Sequence, residues 1–313
     1  MERTRPPQFT RRMTVRQTAE LIREGATGDE IRRRVRNGEL IRLRRGAYAD
    51  AGPATDTERH RDLVVATLAQ LDGKAALSHF SAASLHDIPV PNGTLSQVWV
   101  TRNSGGGGHL SPHLHELKAP LDAGDVVQLA GLPVTSVSRT AVDVARRTRP
   151  PYGLAACDRA LASGVSPSEL TEQVERWPRR PGIARARRVV DLANPLSESF
   201  GESFSRWVIW QLGLPMPILQ YPVDVHGRRY RSDFGWPELG VLGEFDGRIK
   251  YEGVLDDSRS LADVVMAEKR REQDLRSLGW QVTRWGMAEL HEPHRLRYQL
   301  EAAFRIGVQH RRH

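Results

Sequence analysis

Cysteine is nearly absent: Cys157 is the only one in 313 residues. That excludes an intrachain disulfide framework and a cysteine-based zinc finger. Long apolar runs are missing too, and no stretch approaches the ~20 residues needed to span a bilayer. The basic N-terminus, MERTRPPQFTRRM, is followed by no apolar segment, so it does not read as a secretory signal. These absences point to a cytoplasmic protein with no membrane partner. A P-loop is lacking: the glycine-rich stretch from Asn103 to Gly108 has no lysine and hydroxyl residue to hold phosphates, and reads as a flexible turn. Lysine is scarce, with only Lys74, Lys118, Lys250 and Lys269 among 46 basic residues.

What is present is arginine. The formal net charge is +8 and the isoelectric point is near 10.1, a balance that favours a polyanionic partner such as DNA. The same excess also fits a GC-rich genome. A hydrophobic fraction of 39% with 27% charged residues suits a soluble globular chain, and the length suits two or three domains.

The first 50 residues hold 13 arginines against 7 acids. Thr14 to Ile22 reads as a short helix with Thr14 as cap. Asp29 to Asn37 reads as a second helix, with Ile31 and Val35 as its apolar seam and Arg32, Arg33, Arg34 and Arg36 around it. Glu39 to Tyr48 reads as a hairpin carrying Arg42, Arg44 and Arg45. Helix, turn, basic helix and basic hairpin make a winged helix-turn-helix. Its second helix can enter the major groove while wing arginines hold phosphates. The competing reading is a solvated basic helix in a packing domain. Residues 11–50, with RRRVRNGELIRLRRGAYA, resemble the N-terminal winged-helix domain of AbiEi-type antitoxins of type IV toxin–antitoxin systems. The resemblance implies promoter binding, transcriptional repression and a cognate toxin.

The division expected is 1–52 for the DNA-binding domain, 53–195 for a mixed α/β middle region similar to that of AbiEi-like proteins, and 196–313 for a C-terminal domain. In the middle region, Thr57 to Leu71 and Ala75 to His86 read as helices, and Gln97 to Thr101 as a strand. Val126 to Leu129 and Leu132 to Thr135 read as short strands, and a helix opens at Ser138. Three further helices follow between Pro150 and Asn194. His109, His113 and His115 could together suit zinc, but Pro112 and the adjacent loop favour a surface segment. His79 and His86 read as packing residues.

The C-terminal region turns on RSDFGWPELGVLGEFDGRIKY, residues 231–251. Two strands joined through Trp236 to Leu239 would set Asp233 beside Glu244 and Asp246, with Lys250 just beyond Gly247. Strand side chains alternate, so Glu244 and Asp246 share a face. Acids inside an apolar strand are costly unless a cation or hydrogen bonds compensate. Three carboxylates and an amine at one sheet edge suit a Mg2+- or Mn2+-dependent phosphodiesterase. The bland alternative is that the acids cap turns or pair with arginines.

Residues 197 to about 290, with GES, DFGWPE, GEFDGRIKY, EKRRE and LGW, resemble the very-short-patch-repair endonuclease-like branch of the PD-(D/E)XK nuclease superfamily. The overall expectation is a multi-domain α/β chain ending in a restriction-endonuclease-like α-β-β-β-α-β-α domain. The resemblance implies Mg2+-dependent DNA cleavage, with Asp233 and Glu244 as metal-binding acids and Glu202 as the accessory acid of the leading helix. Where the superfamily has its lysine, two residues after the second acid, this chain has Asp246. Asp246 would then be a further metal ligand, and Lys250, or else Lys269, would supply the amine. Two functions follow: a Mg2+-dependent DNA endonuclease in foreign-DNA defence, or an AbiEi-like antitoxin and repressor whose nuclease-like domain is catalytically silent.

Overall fold

The computed structural model describes residues 15–71, 75–103, 108–247 and 261–310, with backbone alone at 261–265 and at 268. It is a mixed α/β chain with three sheets, divided into two compact units. Unit 1 spans residues 1–149 and 163–191, and unit 2 spans 150–162 and 192–313.

Unit 1 opens with β1 (Arg16–Gln17), α1 (Thr18–Arg23), α2 (Gly28–Arg36), β2 (Leu40–Arg44) and β3 (Ala47–Asp50). Thr14 lies outside the described residues; Gln17 is the residue that caps α1. Thr27 caps α2 by accepting the Glu30 N–H at 3.2 Å. The three strands form one sheet in the order β1-β3-β2. Leu21, Ile31 and Leu40 are its buried core, with Val35 and Tyr48 packed against them.

Next come α3 (Asp56–Leu68), β4 (Ala75–Leu77), α4 (His79–Leu85), β5 (Val98–Arg102), β6 (His109–Ser111), β7 (Leu114–Lys118), β8 (Val126–Leu129), β9 (Leu132–Thr135) and α5 (Val137–Arg147). Two sequence expectations change here. Ala75 to Leu77 is a strand rather than the start of a helix. It pairs antiparallel with β5 and parallel with β9. The segment from His109 to His115 is a β-hairpin, with His109 opposite Glu116 and Leu110 opposite His115. The six strands run β6-β7-β5-β4-β9-β8, over a core that includes Leu63, Leu77, Leu85, Val98, Val100 and Val134.

The chain then forms α6 (Pro150–Ala162), which belongs to unit 2, and returns to unit 1 for α7 (Pro167–Glu175) and most of α8 (Ile183–Leu192). Unit 2 continues with α9 (Phe200–Gln211), β10 (Ile218–Val225), β11 (Arg228–Trp236), β12 (Val241–Phe245), α10 (Leu261–Ser277), β13 (Gln281–Trp285), α11 (Met287–His291) and α12 (Pro293–His310). The single terminal helix expected from Met287 is two, because Pro293 offers no N–H to continue α11. The sheet order is β10-β11-β12-β13; β12 and β13 are parallel and the other pairs antiparallel. Val223, Val225, Leu242, Leu275 and Trp280 form a core against this sheet.

Candidate functional site

The arginines of the N-terminal unit divide into two groups. Arg33 reaches Glu30 at 2.8 Å, Arg32 reaches Asp29, and Arg34 lies 3.6 Å from Glu39. The Glu30 hydrogen bond and charge hold the exposed Arg33 guanidinium above its ordinary value. Arg44 is half-buried; its Nη1 has no hydrogen-bond partner among the described residues, and burial lowers its pKa. Arg36, Arg42 and Arg45 are exposed, and no ion pair to them is found among the described residues. These three carry charge that an incoming phosphate would neutralise.

The middle of unit 1 contains a buried polar system that spacing did not reveal. Arg139 is 2% exposed and bridges Asp125 at 3.0 Å and Asp143 at 2.8 Å. Arg146 also reaches Asp143, at 2.9 Å. Asp143 is held down at about 2: burial opposes its charge, but His79 and the two arginines outweigh that cost. Burial pushes His79 down to about 4. His60 is pushed to about 4 by the same cause, and its ring nitrogens lie 2.7 Å from the Leu95 carbonyl and 2.9 Å from Ser81 Oγ. His86 stands 2.8 Å from the Thr135 carbonyl. His115 stacks on Trp99 at 3.7 Å, while His109 and His113 are exposed. The run of small residues in SAAS, residues 81–84, is the one sequence signal for this tight packing.

In unit 2 the pairing of β11 with β12, Phe234 opposite Gly243 and Trp236 opposite Val241, brings Asp233 to the end of β12. Asp233 Oδ2 accepts the Phe245 N–H at 2.9 Å. Glu244 is fully engaged: Arg271 donates to one oxygen, and Arg284 Nε donates to the other at 2.9 Å. Arg284 also donates to Glu272 at 3.1 Å. Glu202 is 3% exposed and accepts from the Ser199 hydroxyl at 2.7 Å, the Glu198 N–H at 2.9 Å and Gln220 Nε2 at 2.9 Å. Burial raises its pKa, and the charges of Asp233 and Glu198 push the same way. Gln220 has a φ of 50° within β10.

Asp246 is exposed beyond the end of β12. It lines a cavity of about 730 Å3 with Phe200, Phe245, Arg284 and Trp285. Lys269 is exposed on α10, and Lys250 lies outside the described residues. A divalent cation at Glu244 would have to displace two guanidinium groups. Among the described residues, no group of three His, Cys, Asp or Glu side chains is placed to hold a metal ion. As arranged, the described carboxylates do not fit Mg2+ or Mn2+. Arginines supply the compensating charge that acids in an apolar strand require.

No helix among the described residues is long and apolar enough to cross a membrane. The family model of the AbiEi antitoxin C-terminal domain matches residues 74–192. Two Mycobacterium tuberculosis proteins, MT2308 of strain CDC 1551 and Rv2248 of strain H37Rv, are each 30% identical over 262 residues. The match covers 82% of this chain and 89% of theirs. The crystal structure of the RV2827C protein from Mycobacterium tuberculosis matches with a TM-score of 0.39 at 16% identity, over 67% of this chain and 83% of that one. That likeness is too loose to establish a shared fold.

Proposed function

The chain belongs to the family of the Mycobacterium tuberculosis proteins Rv2248 and MT2308, and we propose that it acts as an AbiEi-type antitoxin and DNA-binding repressor, paired with a cognate toxin. The observation that carries this reading is the antitoxin-domain match over residues 74–192. The N-terminal elements support it. Their order of helix, basic helix and basic hairpin suits a winged helix, and Arg36, Arg42 and Arg45 stand exposed on α2, on β2 and in the β2–β3 turn. Phosphate neutralisation by such arginines supplies affinity and orientation, while groove contacts supply sequence choice.

In this reading the C-terminal unit is nuclease-like in element order and catalytically silent. Support comes from Glu244, whose two oxygens are occupied by Arg271 and Arg284. Support also comes from Glu202, whose carboxylate is closed by three hydrogen bonds.

The test is binding of the full chain to the DNA upstream of its own gene, with a cleavage assay on supercoiled DNA in Mg2+ and Mn2+ run beside it. Tight, salt-sensitive binding that persists in Asp233→Ala and Glu244→Ala, with no nicking, is expected. Metal-dependent nicking lost in both variants would instead establish the endonuclease. Growth rescue on co-expression with a neighbouring toxin gene tests the antitoxin half, and no rescue would remove it.

A further inference from the structure

A second cavity, in unit 1, shares only Arg42 with that reading. Its volume is about 710 Å3, within the roughly 300–1,000 Å3 common for small-molecule sites. Leu43 of β2, Leu63 of α3, and Ile88, Val90 and Leu95 between α4 and β5 give it apolar walls. His60 belongs to the same wall, but both its ring nitrogens are already engaged, so it offers a ligand only a neutral surface.

Two features of the lining are unmet. Ser84 is 6% exposed, and its Oγ is buried without a hydrogen-bond partner among the described residues. A buried hydroxyl is normally paired, and one that is not calls for an explanation. Arg42 also lines the cavity and has no carboxylate partner among the described residues. The two acids of the lining do not meet that need. Asp56 lies 3.9 Å from Arg59, and Asp87 is exposed.

Apolar walls and a guanidinium without a carboxylate partner among the described residues together select an amphiphile of negative charge. We propose that this cavity binds a small organic anion with an apolar body, its acidic group held by Arg42. Binding of this kind does not depend on whether the chain is an antitoxin.

The probe is 1-anilinonaphthalene-8-sulfonate, an aromatic body with a single sulfonate, titrated into the full chain and followed by fluorescence. Saturable one-to-one binding is expected. Arg42→Gln should weaken it about tenfold, the loss of one charge-assisted hydrogen bond. Val90→Trp, which fills the cavity, should abolish it, with far-UV circular dichroism unchanged in both variants. If Val90→Trp does not fold, Asn92→Trp at the exposed rim fills the same space. Absence of saturable binding, or binding unchanged in the filled variants, would overturn the site. Binding indifferent to Arg42→Gln would overturn the choice of an anion.

Discussion

At the scale of single residues, burial sets the chemistry. His60 and His79 both sit near 4 against an ordinary 6.5, so between those values the unfolded chain binds protons that the folded chain refuses. Stability contributed by these neutral histidines is full above pH 6.5 and is lost as pH falls towards 4. Asp143, held at about 2 against 3.8, adds stability that is present above pH 4 and lost between about 4 and 2. Urea unfolding followed from pH 7.5 to 4.5 should show stability level down to about pH 6.5 and falling below it. His60→Gln should flatten that slope by about 1.4 kcal/mol per pH unit in the region where one proton is taken up. An unchanged slope would place His60 in contact with water.

The pair in unit 2 makes a different point. Burial raises the pKa of Asp158 despite Arg206 at 2.8 Å, so the attraction to Arg206 does not fully offset the cost of burying the carboxylate. Breaking it is still costly. Asp158→Ala leaves Arg206 buried and uncompensated, and should lower stability by about 3–5 kcal/mol. Thermal denaturation of that variant beside Asp158→Ala with Arg206→Met, which removes both charges, checks the claim. At this scale the nearness of Asp233 to the end of β12 was legible, because two strands and a short turn lie together in sequence. The partners of Glu244 were not legible: Arg271 and Arg284 come from later elements, brought in by the fold.

At the scale of elements, local pattern served well where local physics decides. The Ile31–Val35 seam marks α2, Thr27 starts it, and Gly46 sits at φ 81° in the turn between β2 and β3. Pattern failed where partners decide. Ala75–Leu77 has little intrinsic preference for a strand, and becomes one because β5 and β9 lie on either side of it. Pro112 suggested a loop, whereas it occupies the turn of the β6–β7 hairpin.

Gly307 shows the same dependence on context. In an exposed helix Gly→Ala stabilises by about 1 kcal/mol. In α12 an added Cβ would lie 2.2 Å from the Leu239 carbonyl oxygen and 2.9 Å from Val241 Cγ2. Gly307→Ala should therefore destabilise by about 1–3 kcal/mol, read as a lower midpoint in urea. A higher midpoint would mean that α12 can lift from β12 without penalty.

At the scale of the whole molecule, the +8 charge bears on DNA through its salt dependence. The logarithm of the binding constant should fall linearly with the logarithm of salt concentration. Removing Arg36 and Arg45 together, by Arg36→Gln and Arg45→Gln, should make the slope shallower by about 1.8, or about 0.9 for each phosphate no longer neutralised. Fluorescence anisotropy from 50 to 300 mM salt, about a sixfold range wide enough to fix such a slope, decides between phosphate binding and a merely solvated face.

The path of α6 has a consequence for how this chain is made. It emerges from synthesis about fifty residues before α9, the helix that its Asp158 joins through Ser203 and Arg206. At about 5–20 residues per second that is roughly 2–10 s during which α6 lacks the helix it packs against. The sole thiol thus becomes a clock for assembly. In the finished chain Cys157 is buried and its ionisation is suppressed, so a nascent chain halted at Leu192 should react with a thiol reagent that the released protein resists.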